Sequence, residues 1–313
     1  IEERKQSQIL TQIEQARNLT FKQVAEACIA SKSHEWKNAK HAQQWTNTLV
    51  AYAYPIFGDL PISEVSTDLV LKALDPIWVS KAETASRVRQ RIETVWDYGK
   101  ARSFVGGENP ARLKGHLDKI LSKTAKVKRV RHFPALPYNE IGAFVKELRA
   151  RSGYSALGLE FLILTAARTG EIIGSKWSEI DLEKAVWTIP SDRMKAGAEH
   201  RVPLSTRAIE LLKSITSNRN PEEYVFSGWK RNTGLSNNAF LALLKKMQRA
   251  DITPHGFRST FRDWAAEEAH QFPNETIELA LAHTIKNKAE AAYRRGDQLE
   301  RRRELMAAWS DYT

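Results

Sequence analysis

The chain has 313 residues, 42% hydrophobic and 27% charged, which is the composition of a folded, water-facing protein with room for two domains. Its formal net charge of +11 asks for a polyanionic partner, and nucleic acid fits best. No apolar run reaches the length of a membrane span, since the best, residues 157–167, is interrupted by Glu160; the charged N-terminus has no signal core behind it; and the single cysteine, Cys28, excludes an internal disulfide or a cysteine zinc cage and suits a reducing, intracellular compartment.

Residues 1–18 are polar and read as a lead-in. Thr20 is placed to cap a helix over 21–31 that puts Phe21, Val24, Ala25, Cys28 and Ile29 on one face. Further helices are predicted over 39–57, closing at Gly58, over 67–74, ending ahead of Pro76, and over 82–102. The last carries Val88, Ile92, Val95 and Trp96 on its apolar stripe, with Arg87, Arg89, Arg91, Lys100 and Arg102 away from it. Residues 19–122 therefore form an expected all-helical domain. Residues 123–137 then change texture: Lys126, Lys128, Arg129 and Arg131 occur with no acid among them, and Pro134 and Pro137 follow. This stretch reads as a solvated linker and equally as a linker laid along a phosphate backbone.

Residues 138–313 are mixed. Helices are predicted over 139–151 and 155–167, and residues 186–189 alternate like a strand. Residues 200–204 return as its antiparallel partner, with Lys195-Ala196-Gly197 at the turn, and 224–226 is a further strand. Helices resume over 236–249, 254–269, 275–282, 288–294 and 299–309. The expected fold class is mainly α with a small antiparallel β-sheet: a helical domain followed by a mixed α+β domain.

Three local patterns carry candidate chemistry. In Thr253-Pro254-His255-Gly256-Phe257-Arg258, Thr253 suits an N-cap, and His255 and Arg258 share a face near the positive end of a helix, where a phosphate is welcome. In Arg168-Thr169-Gly170-Glu171, the arginine emerges where an apolar helix ends; the pair also reads as an ordinary ion pair beside a helix-breaking glycine. His283 ends the apolar run Leu279-Ala280-Leu281-Ala282, where it could merely cap, and Tyr293 stands among alanines and arginines with little to pack on.

In order, Arg168, Lys195 at a hairpin turn, His255-x-x-Arg258, His283 and Tyr293 resemble the catalytic signature of the tyrosine recombinase (phage integrase) family. The resemblance extends over the catalytic half. Gly58-Asp59-Leu60-Pro61 and Asn109-Pro110-Ala111 are similar to that family's helical core-binding domain, and the tail from Ala291 to Leu305 is similar to integrases of satellite phages and genomic islands. Such integrases usually begin with an arm-type DNA-binding domain, to which nothing ahead of Thr20 corresponds. The resemblance implies cleavage and rejoining of DNA through a 3′-phosphotyrosine, with no metal and no nucleotide cofactor. It implies double-stranded attachment sites as substrate, a homotetramer on paired sites, accessory DNA-bending proteins, no membrane, and a bacterial cytoplasmic, nucleoid-associated location.

The residue types suit that chemistry. Arg168 and Arg258 would clamp nonbridging oxygens and neutralise charge growing in the transition state. His255 would take the proton of Tyr293, Lys195 would protonate the leaving 5′-oxygen, His283 would position a phosphate oxygen, and Glu171 would support the site. Competing readings are a type IB topoisomerase and a non-catalytic DNA-binding regulator; a metal-dependent nuclease is disfavoured because no carboxylate cluster stands out. The tail argues against the topoisomerase, because 296–312 is long enough for a helix that docks on another subunit. Its stripe of Leu299, Leu305, Met306 and Trp309, opposite Arg301, Arg302 and Glu304, fits such docking and fits equally well a helix packed on its own domain.

Overall fold

The computed structural model describes residues 18–36, 39–122, 134–215, 220–230, 232–283 and 296–313. The chain divides into two compact units, 1–131 and 132–313, each with its own apolar core. The fold is mainly helical with one three-stranded antiparallel sheet, the class the sequence predicts. Among the described residues no helix is long and apolar enough to cross a membrane.

The first unit holds helices α1 (Phe21–Ser33), α2 (Ala39–Tyr52), α3 (Tyr54–Phe57), α4 (Thr67–Trp78) and α5 (Ala82–Ala101). Thr20 caps α1 in a full capping box: its hydroxyl accepts from the Gln23 amide and the Gln23 side chain accepts from the Thr20 amide. The single helix expected over 39–57 is two, because Pro55 lacks the amide that would continue the ladder and starts a new turn at α3. Conversely, α4 runs through Pro76, and Ile77 and Trp78 are buried beyond it. The indole of Trp78 donates to the Ser122 carbonyl at 2.8 Å, so tertiary contacts outweigh the lost ladder bond. Arg89 and Arg91 on α5 are also buried rather than solvated. Arg89 donates to the Ala111 carbonyl at 2.8 Å and to Glu93, and Arg91 to the Gln44 carbonyl at 2.8 Å.

The second unit holds α6 (Ile141–Arg149), α7 (Tyr154–Thr165), α8 (Thr169–Ile173), strands β1 (Ile180–Asp181), β2 (Val186–Ile189) and β3 (His200–Pro203), then α9 (Thr206–Ser214), α10 (Ala239–Lys246), α11 (Gly256–Glu267), α12 (Asn274–Ala280) and α13 (Leu299–Tyr312). Helix α7 is buried almost all round; its one acid, Glu160, is held by Arg149 at 2.7 Å and Arg207 at 2.8 Å. The sheet order is β1-β2-β3, with Ile189 opposite His200. Residues 224–226 do not form a strand: Tyr224 makes one isolated bridge to Lys176. Strand β1 and helix α9, which Ser205 caps, were not legible in advance. The helix expected over 288–294 lies outside the described residues.

Helix α13 packs on its own unit, against α7, α12 and β3, with Leu305, Met306 and Trp309 fully buried. Each such side chain contributes roughly 1.5–3 kcal/mol of burial, and the Trp309 indole donates to the Ile163 carbonyl at 2.8 Å. Leu305, Met306 and Trp309 are therefore core, while Leu299 at the helix start is half-buried, and Arg302, expected on the solvent side, is buried with them. Its guanidinium donates to the Asp297 carbonyl at 2.7 Å, to the Asp297 carboxylate at 2.9 Å and to the Arg201 carbonyl. Asp297 in turn accepts two hydrogen bonds from Arg201 on β3, at 2.7 and 2.8 Å.

Candidate active site

Two helix ends and two helix starts converge in the second unit. Helix α7 stops at Thr165 because Ala166 turns left-handed, with φ 48°, and Arg168 then occupies the position that opens α8. Glu171 accepts the Arg168 backbone amide and one guanidinium nitrogen, each at 2.8 Å, so the arginine is oriented by its own helix start. Helix α12 closes the same way: Ala282 has φ 48°, and the His283 amide donates back to the Glu278 carbonyl at 3.0 Å. The other Arg168 nitrogen donates to the Ala282 carbonyl at 3.1 Å.

Arg258 comes from α11 and is buried. It donates to the carbonyls of Ala166 and Leu281, and its Nη2 lies 3.3 Å from His283 Nε2. Burial, with Arg168 second, pulls its guanidinium down to about 10, which leaves it cationic at neutral pH. Helix α11 begins at Gly256, two residues later than the sequence suggests, and Thr253 accepts the Gly256 amide at 3.1 Å across a turn. A side chain at Gly256 would strike the Pro134 carbonyl, with a Cβ only 2.2 Å away, so glycine between His255 and Arg258 is a packing requirement. His255 immediately precedes the helix. Burial lowers its imidazole below the usual range, with Arg258, Arg168, His283 and Lys195 adding to the effect, so it is neutral at neutral pH and able to accept a proton.

Arg168, Lys195, His255, Arg258 and His283 line one cleft of about 710 Å³. Lys195 reaches it from the turn between β2 and β3, where Gly197 adopts φ 70° and buried Met194 anchors the loop. Two residues that the sequence did not single out bear on the cleft, one lining it and one feeling its arginines. Glu278 lines the cleft and binds His283 Nδ1 at 2.7 Å. His200, at the start of β3, is pulled from 6.5 to about 4 by burial and then by Arg302, Arg168 and Arg258. Tyr293 and the linker residues Lys126, Lys128, Arg129 and Arg131 lie outside the described residues. Among the described residues no group of three or more His, Cys, Asp or Glu is placed to hold a metal ion. The arrangement is a cationic, donor-rich pocket in which the neutral imidazole of His255 can accept a proton, suited to a tetrahedral anion.

The chain matches the phage integrase central domain over residues 21–116 and the phage integrase family over residues 135–300. It belongs to the phage integrase family, the tyrosine site-specific recombinases. It is 33% identical over 293 residues to prophage integrase IntZ of Escherichia coli K12, spanning 93% of this chain and 70% of that one. It is 28% identical over 313 residues to the integrase of enterobacteria phage P4, spanning 94% and 69%. Among solved structures, a lambda integrase tetramer bound to a Holliday junction aligns with a TM-score of 0.68 at 15% identity, over 90% of this chain and 82% of that one. The Tn1549 transposon integrase in complex with circular intermediate DNA aligns at 0.61 with 13% identity, over 94% and 99%. These two establish likeness of fold.

Proposed function

We propose that this recombinase integrates or excises a mobile element by cutting and rejoining double-stranded DNA at attachment sites, with Tyr293 as the nucleophile. The observation that carries the reading is the convergence of Arg168, Lys195, His255, Arg258 and His283 on one cleft from four separate segments. Phosphate diesters resist attack because the nucleophile approaches an existing anion. Arg168 and Arg258 bind the nonbridging oxygens, and loss of one such donor costs about a hundred- to a thousand-fold in rate. A free phenol has a pKa of about 10, so the Tyr293 hydroxyl must give up its proton as it attacks; His255 takes it. The P–O bond to the 5′-oxygen breaks, Lys195 protonates that oxygen, and a 3′-phosphotyrosine remains. Attack by a 5′-hydroxyl reverses the sequence and reseals the strand.

The reading also gives the enzyme two roles for its basic charge. The stretch 123–137, with Lys126, Lys128, Arg129 and Arg131, follows the phosphate backbone between a core-binding unit at 19–122 and a catalytic unit at 138–313. Strand exchange pairs two sites, which calls for four protomers and for accessory proteins that bend the DNA; the solved relatives named above include a tetramer on a Holliday junction. Such a substrate places the enzyme on the chromosome in the bacterial cytoplasm. Neither the topoisomerase nor the regulator is favoured. That preference rests on the family and not on the tail, which packs in its own unit. The deciding experiment traps protein on an attachment-site duplex carrying a nick beside the cleavage point. Wild type forms a denaturant-resistant adduct, and Tyr293→Phe binds with equal affinity and forms none. An adduct persisting in that variant, or none with wild type, overturns the reading.

A further inference from the structure

The geometry points to Glu278 as a positioning residue that fixes the tautomer of His283, with Nδ1–H on its carboxylate and the Nε2 lone pair turned toward Arg258; the inference rests on the function proposed above. The hydrogen-bond pattern around the ring allows little else. Arg258 Nη2 lies 3.3 Å from His283 Nε2, and a guanidinium has only donors, so Nε2 presents its lone pair. Nδ1 must then carry the proton, and it lies 2.7 Å from Glu278 Oε2, which can only accept. The opposite neutral tautomer would set two lone pairs against each other at Nδ1.

Glu278 is itself braced for this task. Its other oxygen, Oε1, accepts from Arg262 Nε at 2.9 Å, and Arg262 also donates to Asn274 Oδ1 at 2.5 Å. Arg262 stands one turn beyond Arg258 on α11, while Asn274 opens α12, so the carboxylate ties the two helices that carry Arg258 and lead to His283. The His283 and Arg262 contacts hold the Glu278 carboxyl below the usual range against the opposing effect of burial, so it is an anion throughout the neutral range. Arg168, Lys195, His255 and Arg258 line the same cleft as Glu278 and His283.

The backbone explains why this pair is invisible as a helix pattern. His283 is five residues after Glu278, a spacing that points to different faces of a continuous helix. It is the left-handed Ala282 that swings the imidazole back over the last turn of α12.

Three variants of the full chain test the assignment. Glu278→Gln presents an amide that can donate as well as accept, so it no longer fixes the tautomer, and single-turnover cleavage of the nicked duplex should fall about tenfold. Glu278→Asp, whose carboxylate can only accept, should restore much of the rate. In a His283→Ala background, Glu278→Gln should cost no more than about twofold, because its partner is gone. A rate equal to that of wild type, or an equal loss in both backgrounds, overturns the role. A second readout does not depend on catalysis: nitrogen-15 spectra of the free protein, with His283 assigned by substitution, should show the Nδ1–H tautomer in wild type. The Nε2–H form would refute the assignment even in an active enzyme. If wild type shows Nδ1–H yet forms no DNA adduct, the proposed reaction fails while the pairing stands.

Discussion

Replacing His200 by glutamine should flatten the acid limb of this protein's stability curve. His200 opens β3, where burial, followed by Arg302, Arg168 and Arg258, pulls its imidazole from 6.5 to about 4, with Asp297 opposing. The unfolded chain therefore takes up a proton at a higher pH than the folded one. Above pH 6.5 neither state is protonated at this position and the stability is whole. Between 6.5 and 4 the unfolded state binds the proton alone, so stability falls with falling pH, and below 4 the loss is complete. Each tenfold difference in proton affinity is worth about 1.4 kcal/mol, so the full loss is at most about 3 kcal/mol, and partial hydration of the ring brings it to about 2 kcal/mol. Urea denaturation followed by tryptophan fluorescence at pH 7, 6, 5 and 4.5 measures it. The stability difference between wild type and His200→Gln should shift by about 2 kcal/mol across that range in favour of the variant, with the urea dependence unchanged. Parallel curves for the two proteins would refute the claim that the folded state holds this histidine neutral.

Two further outcomes follow from the catalytic unit. Lys195→Ala should slow cleavage of ordinary DNA by about a hundred-fold or more and be largely rescued when the bridging 5′-oxygen is sulfur, whose thiolate leaves unprotonated; equal impairment on both substrates would make Lys195 a phosphate clamp. Deleting residues 299–313 removes Leu305, Met306, Trp309 and the buried Arg302 from the core, a loss comparable with the roughly 5–15 kcal/mol that holds an ordinary domain together. The truncated chain should show no cooperative transition for this unit by calorimetry, and a normal melt would show the helix to be dispensable.

What could be read in advance depended on how local the cause was. Thr20 announces α1 because an N-cap acts within a single turn, and Arg168 and His255-x-x-Arg258 stand at helix boundaries set by nearby turn residues. Pro76 misled because the burial of Trp78, whose indole is bonded to the distant Ser122, overrides a local penalty. Arg89, Arg91 and Arg302 misled for a related reason. A guanidinium is buried only where carbonyls such as those of Ala111, Gln44 and Arg201 wait for it, and these come from remote segments. Glu278 and His200 escaped notice because one needs the reversal at Ala282 and the other needs arginines from three elements gathered around β3.

The left-handed alanines that end α7 and α12 have an electrostatic consequence. The carbonyls they release, those of Ala166, Leu281 and Ala282, are what hold the guanidiniums of Arg258 and Arg168. A carbonyl at a helix C-terminus carries a partial negative charge; it fixes the direction of a guanidinium while cancelling little of its charge. Among the described residues, Arg258 makes no ion pair with a carboxylate. The free protein thus carries a surplus of positive charge in this site, which adds to burial in lowering the proton affinities of Arg258 and His255. A phosphate that enters meets groups that need not turn to receive it. The same phosphate removes a repulsion that Glu171 and Glu278 offset only in part, so occupancy of this cleft and the stability of the unit around it are thermodynamically linked.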